Sequence, residues 1–162
     1  MSTRKLVISL AVLILVVAGW YAFRPERLFI NEKVNEQFPA TAAAAAQTTA
    51  LATGRFHGVA HETKGSATIY QLPDGKRTLR LTEFETSNGP DVQVYLVAAE
   101  DARDAETVKT AGFVSLGAMK GNIGDQNYEV PSDVDLDKYR AVTIWCRRFS
   151  ANFATAPLKP QA

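Results

Sequence analysis

Two kinds of hydrophobic pattern divide this chain. From Leu6 to Phe23 the residues are almost all apolar and none is charged. As a helix at 1.5 Å per residue this segment spans about 27 Å, close to a hydrocarbon core of about 30 Å. Trp20 and Tyr21 lie at one end, where amphipathic rings favour the headgroup layer. From Gly54 onward the pattern changes to short alternating runs separated by polar and glycine-rich breaks. That alternation predicts β-strands with one buried face.

The β-like runs are Gly54–Ala60, Gly65–Leu72, Thr78–Phe84, Asp91–Val97, Phe113–Leu116, Arg140–Phe149 and Ala151–Leu158. Pro73-Asp74-Gly75 signals a tight turn, and Gly89-Pro90 a turn feeding a strand. Glu100–Thr110 is charged and reads as a loop or a helical turn. Gly121–Asn127 reads as a loop, and Asp133–Asp137 as a turn of helix. About seven or eight strands at these spacings indicate an all-β domain, an antiparallel β-sandwich or partly open barrel.

Between helix and strands, residues 24–40 are mixed, with Leu28, Phe29, Ile30 and Val34 available to pack on the membrane surface or on the domain. Thr41–Thr53 is nearly all Ala and Thr, including five consecutive alanines. It reads as a spacer, helical in part because Ala is a strong helix former, that holds the domain away from the bilayer. The expected organisation is therefore residues 1–5 as a cytoplasmic N-terminus and 6–23 as a transmembrane helix. Residues 24–53 form a juxtamembrane segment and stalk, 54–158 the β domain and 159–162 a tail.

A cleaved signal peptide is the rival reading of the N-terminus, but Ala18-Gly19-Trp20 and Tyr21-Ala22-Phe23 make poor cleavage sites. Arg4 and Lys5 before the span are matched by Arg24 and Arg27 after it, so charge barely discriminates orientation. The very short N-terminal side favours N-inside, with the long remainder exported to the periplasm or cell surface. The single cysteine lies far downstream, which excludes a lipid-anchored bacterial lipoprotein. The formal net charge of +1 and the absence of a basic run leave nucleic-acid binding without support.

Cys146 is the only cysteine, so an internal disulfide is excluded. Its thiol is an intermolecular cross-linker, a reactive or ligating sulfur, or a small buried hydrophobe. Alternation sets Val142, Ile144 and Cys146 on one strand face, and Thr143, Trp145 and Arg147 on the other. The first face is the better core candidate, which favours an inert thiol. Arg147 and Arg148 adjoin it, and at an open strand end they would favour thiolate. A thiolate also ligates haem iron or a soft metal.

His57 and His61, the only histidines, would share a face in an extended chain. Too few further ligands accompany them, and ordinary surface histidines are the plainer reading, so no metal site is assigned. Met119 is a candidate axial ligand, but both histidines lie upstream of the cysteine, unlike blue-copper spacing. Asp133, Asp135 and Asp137 open like a calcium loop, but Lys138 and Ile144 occupy the sixth and twelfth positions. Gly-x-Ser-x-Gly, Cys-x-x-Cys-His and glycine-rich phosphate loops are absent. Glu83 and Glu85 read as a solvated strand face. A stand-alone enzyme has less support than an electron-transfer or binding module.

Four stretches together resemble a known family. They are Gly54-x-Phe56-x-Gly58-x-Ala60-His61 with Gly65-x-Ala67-x-Ile69, and Leu81-x-x-Phe84-x-Thr86-Ser87-Asn88-Gly89-Pro90-Asp91-Val92-x-Val94-Tyr95-Leu96. The third is Leu116-Gly117-x-Met119-Lys120-Gly121-Asn122-x-Gly124-x-Gln126-Asn127-Tyr128-x-Val130-Pro131, and the fourth Val142-x-Ile144-Trp145-Cys146-x-x-Phe149. The chain resembles the DM-thirteen, or electron transfer DM, domain over residues 54–158, in its bacterial form with one N-terminal membrane span. The resemblance implies a β-sandwich redox module whose cysteine, here Cys146, acts as a free thiol or holds a prosthetic group such as haem. Met119, Tyr128 and Trp145 are then candidates to line such a group, with Met119 standing where the family pattern has Leu. The Asn122–Tyr128 loop is the candidate wall of that site. No accompanying redox domain is present, so an electron partner would be a separate protein. The alternative is a non-enzymatic protein- or glycan-binding module with Cys146 structural.

Overall fold

The computed structural model describes residues 3–23, 30–39 and 47–161. The apolar N-terminal segment forms helix α1, Thr3–Phe23. Over Thr3–Tyr21 its mean hydropathy is 1.9, and by length and composition it can cross a membrane.

The alternating runs form an antiparallel sandwich of two five-stranded sheets. In chain order the strands are β1 (Thr49–Arg55), β2 (His57–Gly58), β3 (Lys64–Gln71), β4 (Arg77–Glu85) and β5 (Val92–Val97). A short helix α2 (Ala105–Ala111) follows, then β6 (Phe113–Ala118), β7 (Gln126–Val130), β8 (Ala141–Cys146), β9 (Ala151–Pro157) and β10 (Lys159–Pro160). One sheet runs β10-β1-β3-β4-β7 and the other β2-β9-β8-β5-β6. Between them lies a core that includes Ile69, Leu79, Leu81, Phe84, Val94, Leu96, Val142 and Ile144. Each such side chain contributes about 1.5–3 kcal/mol on burial. A second cluster (Tyr95, Val97, Ala102, Val108, Ala141 and Trp145) fills the outer side of β5 and β8 beneath α2. Asp104 caps that helix by accepting the Thr107 N–H.

Several expectations change in detail. The first sheet begins at Thr49 rather than Gly54, and Lys159–Pro160 of the expected tail pair with Ala52 and Thr53. Gln126 and Asn127 open strand β7, where a loop was expected, and the acidic Asp133–Asp137 stretch, expected as a turn of helix, forms hydrogen-bonded turns. Glu83 and Glu85 are both exposed, on either side of buried Phe84, but Glu83 is not in regular strand geometry. It adopts φ 51° at a bulge, so Leu79 and Leu81 and then Phe84 all reach the core. Gly65 faces this bulge at φ 101°, where a Cβ would strike the carbonyls of Thr82 and Glu83.

The largest departure concerns the expected stalk. Residues 24–29 and 40–46, with Met1 and Ser2, lie outside the described residues. Residues 30–39, however, lie on the sandwich as a strap. Val34 N–H donates to Ile123 O and Glu36 N–H to Asp125 O, both at 2.9 Å. Ile123 N–H donates back to Glu32 O at 3.3 Å, completing a parallel bridge. Further along, the Phe38 ring meets Tyr70 edge-on at 5.1 Å, with Arg80 above it. Thr49 pairs with Gln71, next to Tyr70. The described residues on either side of the Ala/Thr stretch, 30–39 and Thr49 onward, thus both lie on the domain.

Two glycines make this docking close. A Cβ on Gly121 would strike Glu32 O, and one on Gly124 would strike the Val34 backbone. Gly124 also sits at φ 101°, where a side chain adds strain. Gly124→Ala is expected to cost about 1–3 kcal/mol, read as a fall in urea midpoint with faster hydrogen exchange at the Val34 and Glu36 amides. Unchanged exchange at those amides would refute the docked strap.

Glu36 fastens the strap through Lys120 Nζ at 2.7 Å and the Asn127 N–H at 2.7 Å. Burial pushes its carboxyl up, but the hydrogen bonds from Lys120 and Asn127 outweigh this and leave it below the usual range. A value depressed by folding means the carboxylate stabilises docking fully above the ordinary glutamate pKa of about 4.3. That stabilisation is lost as pH falls through the depressed value. Glu36→Gln should weaken docking by about 1 kcal/mol at neutral pH. Once pH has fallen below that depressed value the wild-type strap should match the variant, measured by hydrogen exchange corrected for intrinsic rate.

Candidate functional site

Strand direction gathers five chain segments at one end of the sandwich. These are the start of the strap, residues 59–63 after β2, 86–91 before β5, 119–125 after β6 and 147–150 after β8. We call this end the tip. The opposite end carries the 72–76 and 131–140 turns.

Cys146 is the last residue of β8 at the tip. It is fully buried in the inter-sheet core, on the face shared by Val142 and Ile144 that alternation predicts. Its strand neighbours are Val92 on β5 and Ala151 on β9. Trp145 points the other way, into the cluster beneath α2. Beyond Cys146 the chain turns, and Arg147 holds Asp91 with two bonds, Nε to Oδ2 at 2.9 Å and Nη2 to Oδ1 at 3.0 Å. One of the two cations beside the thiol in sequence is thus committed to a carboxylate at the surface.

A cavity of about 490 Å³ opens at the tip between the strap and the β5–β6 edge. Its walls include Ile30, Asn88, Asp91, Val92, Met119 and Asn122. Cys146 does not line it, but Val92, its cross-strand partner, does. Directly opposed residues have Cβ atoms about 5 Å apart, so a single valine separates cavity and thiol along that pair.

The expected wall residues have structural tasks. Gln126 is fully buried, and its Oε1 accepts from Tyr128 OH at 2.7 Å and from the N–H groups of Lys120 and Gly121. Its Nε2 donates to Gly121 O at 2.7 Å. Tyr128 OH also accepts the Lys120 N–H, and burial pushes the phenol up to about 12. Asn122 is buried. Its Nδ2 donates to Asn31 Oδ1 and Thr86 O, and its Oδ1 accepts the Glu32 N–H at 2.8 Å. The loop chemistry is therefore spent on holding itself and the strap in place.

Cys146 and Tyr128 belong to the inter-sheet core with Met119 packed against it, whereas Trp145 belongs to the second cluster. Met119 borders the cavity, Tyr128 is tied to Gln126, and Trp145 lies across the sheet from the sulfur. A haem at Cys146 would have to displace the apolar side chains packed around it, so the residues present do not fit that group. His57 and His61 do not share an extended face. The chain turns after Gly58, and the Val59 and His61 N–H groups both donate to Phe153 O. His57 Nε2 lies 2.8 Å from Asp101 Oδ1, and the His61 ring rests on Phe153. Burial pushes Asp101 up, but bonds from His57 and Arg103 outweigh it and lower its carboxyl below the usual range. Among the described residues no group of three or more His, Cys, Asp or Glu is arranged to hold a metal ion.

The packing around Cys146 predicts that Cys146→Ser, which buries a hydroxyl among apolar groups, destabilises by about 1–3 kcal/mol. Cys146→Ala should cost less, because it adds no polar atom. Equilibrium unfolding of a chain beginning at residue 30 checks the order, and a harmless serine would contradict complete burial.

The site's residues fall within a known protein family. The family model described as Electron transfer DM13 matches residues 55–158. No curated protein and no solved structure matches the chain. The matched stretch runs from the end of β1 through β9 and takes in Cys146, the tip loops other than the strap and the cavity wall they form, over more than half the sequence: the chain belongs to the electron transfer DM13 family.

Proposed function

We propose that this protein is a membrane-tethered redox module that works on the exported side of a membrane, with its N-terminus inside. The observation that supports this most strongly is an electron-transfer family match across nearly the whole sandwich, in a chain opened by an apolar helix of spanning length. The tip is its working end, and Cys146 its redox thiol. The thiol is shielded behind Val92, so exchange with a separate partner protein depends on access through the cavity wall. Shielding suits a redox sulfur that must avoid random oxidants, since oxidation follows thiolate character and exposure. Met119 and Val92 form the apolar part of the approach.

A second reading has its own observation. Complete burial of Cys146 suits a core filler, and the cavity is rich in amide and carboxylate side chains, among them Asn31, Asn88, Asp91, Gln93 and Asn122. Such a lining suits a β module that binds a glycan or protein, with no electron transfer.

Thiol kinetics separate the two. In a chain beginning at residue 30, the redox reading expects Cys146 to react with a small disulfide reagent well before global unfolding. It further expects Val92→Ala to accelerate the reaction. Labelling that occurs only on denaturation, in both wild type and Val92→Ala, would sink the redox reading in favour of the binding module. Absorbance with added haem supplies a separate check. No Soret shift is expected, because the core at Cys146 leaves no room; a shift abolished by Cys146→Ala would reverse that view.

A further inference from the structure

The chain between α1 and the strap is short. Phe23 ends the helix, and Ile30 is already held at the tip, its carbonyl accepting from Asn88 Nδ2. Seven residue steps reach at most about 25 Å when fully extended. A domain of this length is roughly 35 Å across. The tether is therefore shorter than the domain, and the end remote from the tip cannot turn to face a bilayer that α1 spans. This holds whatever path the linking residues take.

The surface is asymmetric in the same sense. Outside α1, the exposed large apolar side chains among the described residues are Ile30 (62 %), Val59 (36 %), Phe113 (47 %) and Phe149 (64 %). Phe113 already has a partner, stacking on Tyr95 at 4.2 Å. The other three all belong to the tip: Ile30 at the start of the strap, Val59 in the loop after β2, and Phe149 in the β8–β9 turn. Scattered exposed apolar residues need no explanation, but these share the end where the chain arrives from the helix. Phe149 also follows Arg147 and Arg148, both on the surface. Aromatic side chains beside arginine are the pairing found where proteins meet the headgroup layer. The remote turn exposes Asp74 and Lys76 and none of these large apolar side chains, while the tip exposes charges too, among them Glu62, Lys64 and Glu85.

We infer that the tip docks on the lipid bilayer, seating Ile30, Val59 and Phe149 in the headgroup layer with Arg147 and Arg148 at its lipid-phosphate level. The proposal rests on the reading of α1 as an anchor. It adds that the domain lies against the membrane, where a stalk would have held it away. A tether this short keeps the tip near the surface at an effective concentration on the order of millimolar, so even weak individual insertions suffice. The cavity then opens beside the bilayer, and whatever reaches it must approach along the membrane surface.

The test uses the full chain in liposomes that contain phosphatidylglycerol. In a Cys146→Ala background, single nitroxide labels are placed through Val12→Cys in α1, Phe149→Cys at the tip and Asp74→Cys at the remote turn. Collision with lipid-soluble oxygen is compared with collision with a water-soluble nickel chelate. Oxygen should dominate at 12 and 149, and nickel at 74. A nickel-dominated position 12 would defeat the anchor itself. Oxygen at 12 with nickel dominating equally at 149 and 74 would overturn the docked tip alone. So would a position 149 shielded from both reagents, which would mean a covering protein, such as a second copy of the chain. The unmodified chain gives a second readout that needs no substitution. Trypsin cleavage after Arg148 should fall several-fold in liposomes relative to detergent, while cleavage after Lys76 keeps its rate; equal rates at Arg148 in both would also overturn the proposal.

Discussion

The side-chain amide of Asn122 is the constraint on which the arrangement of this protein turns. It is buried, and all of its bonds go to other chain segments: Asn31 and Glu32 of the strap and Thr86 before β5. A buried amide left unpaired costs about 1–3 kcal/mol, so the three segments hold together or the amide is exposed. Gly121 and Gly124 permit the approach, and Gln126 with Tyr128 stiffens the loop from behind. Through these contacts a stretch that precedes the family-matched region becomes part of the domain. Where the chain enters, where the cavity forms and which end lies near α1 all depend on it.

The same arrangement explains why the candidate thiol and the candidate cavity are adjacent yet separate. β5 and β8 lie side by side, so Val92 and Cys146 are paired across the ladder at the tip. The strap closes the cavity on the Val92 side, whereas the opposing sheet covers Cys146. Burial alone makes the sulfur a good core residue. Its position one side chain behind a cavity walled in part by the family-matched stretch makes it a candidate for chemistry. Both descriptions apply to the same atom because strand ends are where a sandwich core meets its loops.

Much of the fold was legible from local pattern. Val142, Ile144 and Cys146 fall on the core face as alternation requires, and Trp145 on the other. The turn at Gly75 and the strand from Val92 to Val97 follow from local sequence too. Reading failed where polar residues are buried or strands are irregular. Gln126 and Asn127 look like loop residues, yet Gln126-x-Tyr128-x-Val130 alternates inward, a signal that a stricter count of the pattern would have found. The bulge at Glu83 also interrupts counting in twos, so that Phe84 follows Leu81 into the core. The Ala/Thr stretch suggested a stalk because composition carries no information about where its two ends are fixed.

By itself the sequence determined an apolar helix of spanning length, an antiparallel sandwich, one unpaired thiol on a core face and the family to which the motifs belong. These follow from short-range regularities: a period of two in strands, an uninterrupted apolar run, and fixed motif spacings. Only the tertiary structure decided that residues 30–39 belong to the domain, that the glycines and amides of the 121–128 loop serve as their seat, and that Cys146 and Tyr128 share the inter-sheet core while Trp145 lies in the second cluster. The bonds responsible join residues about ninety positions apart, such as Glu32 to Asn122. A contact of that separation leaves no local periodicity, because it is selected by the shape of the folded sheets and not by neighbours along the chain.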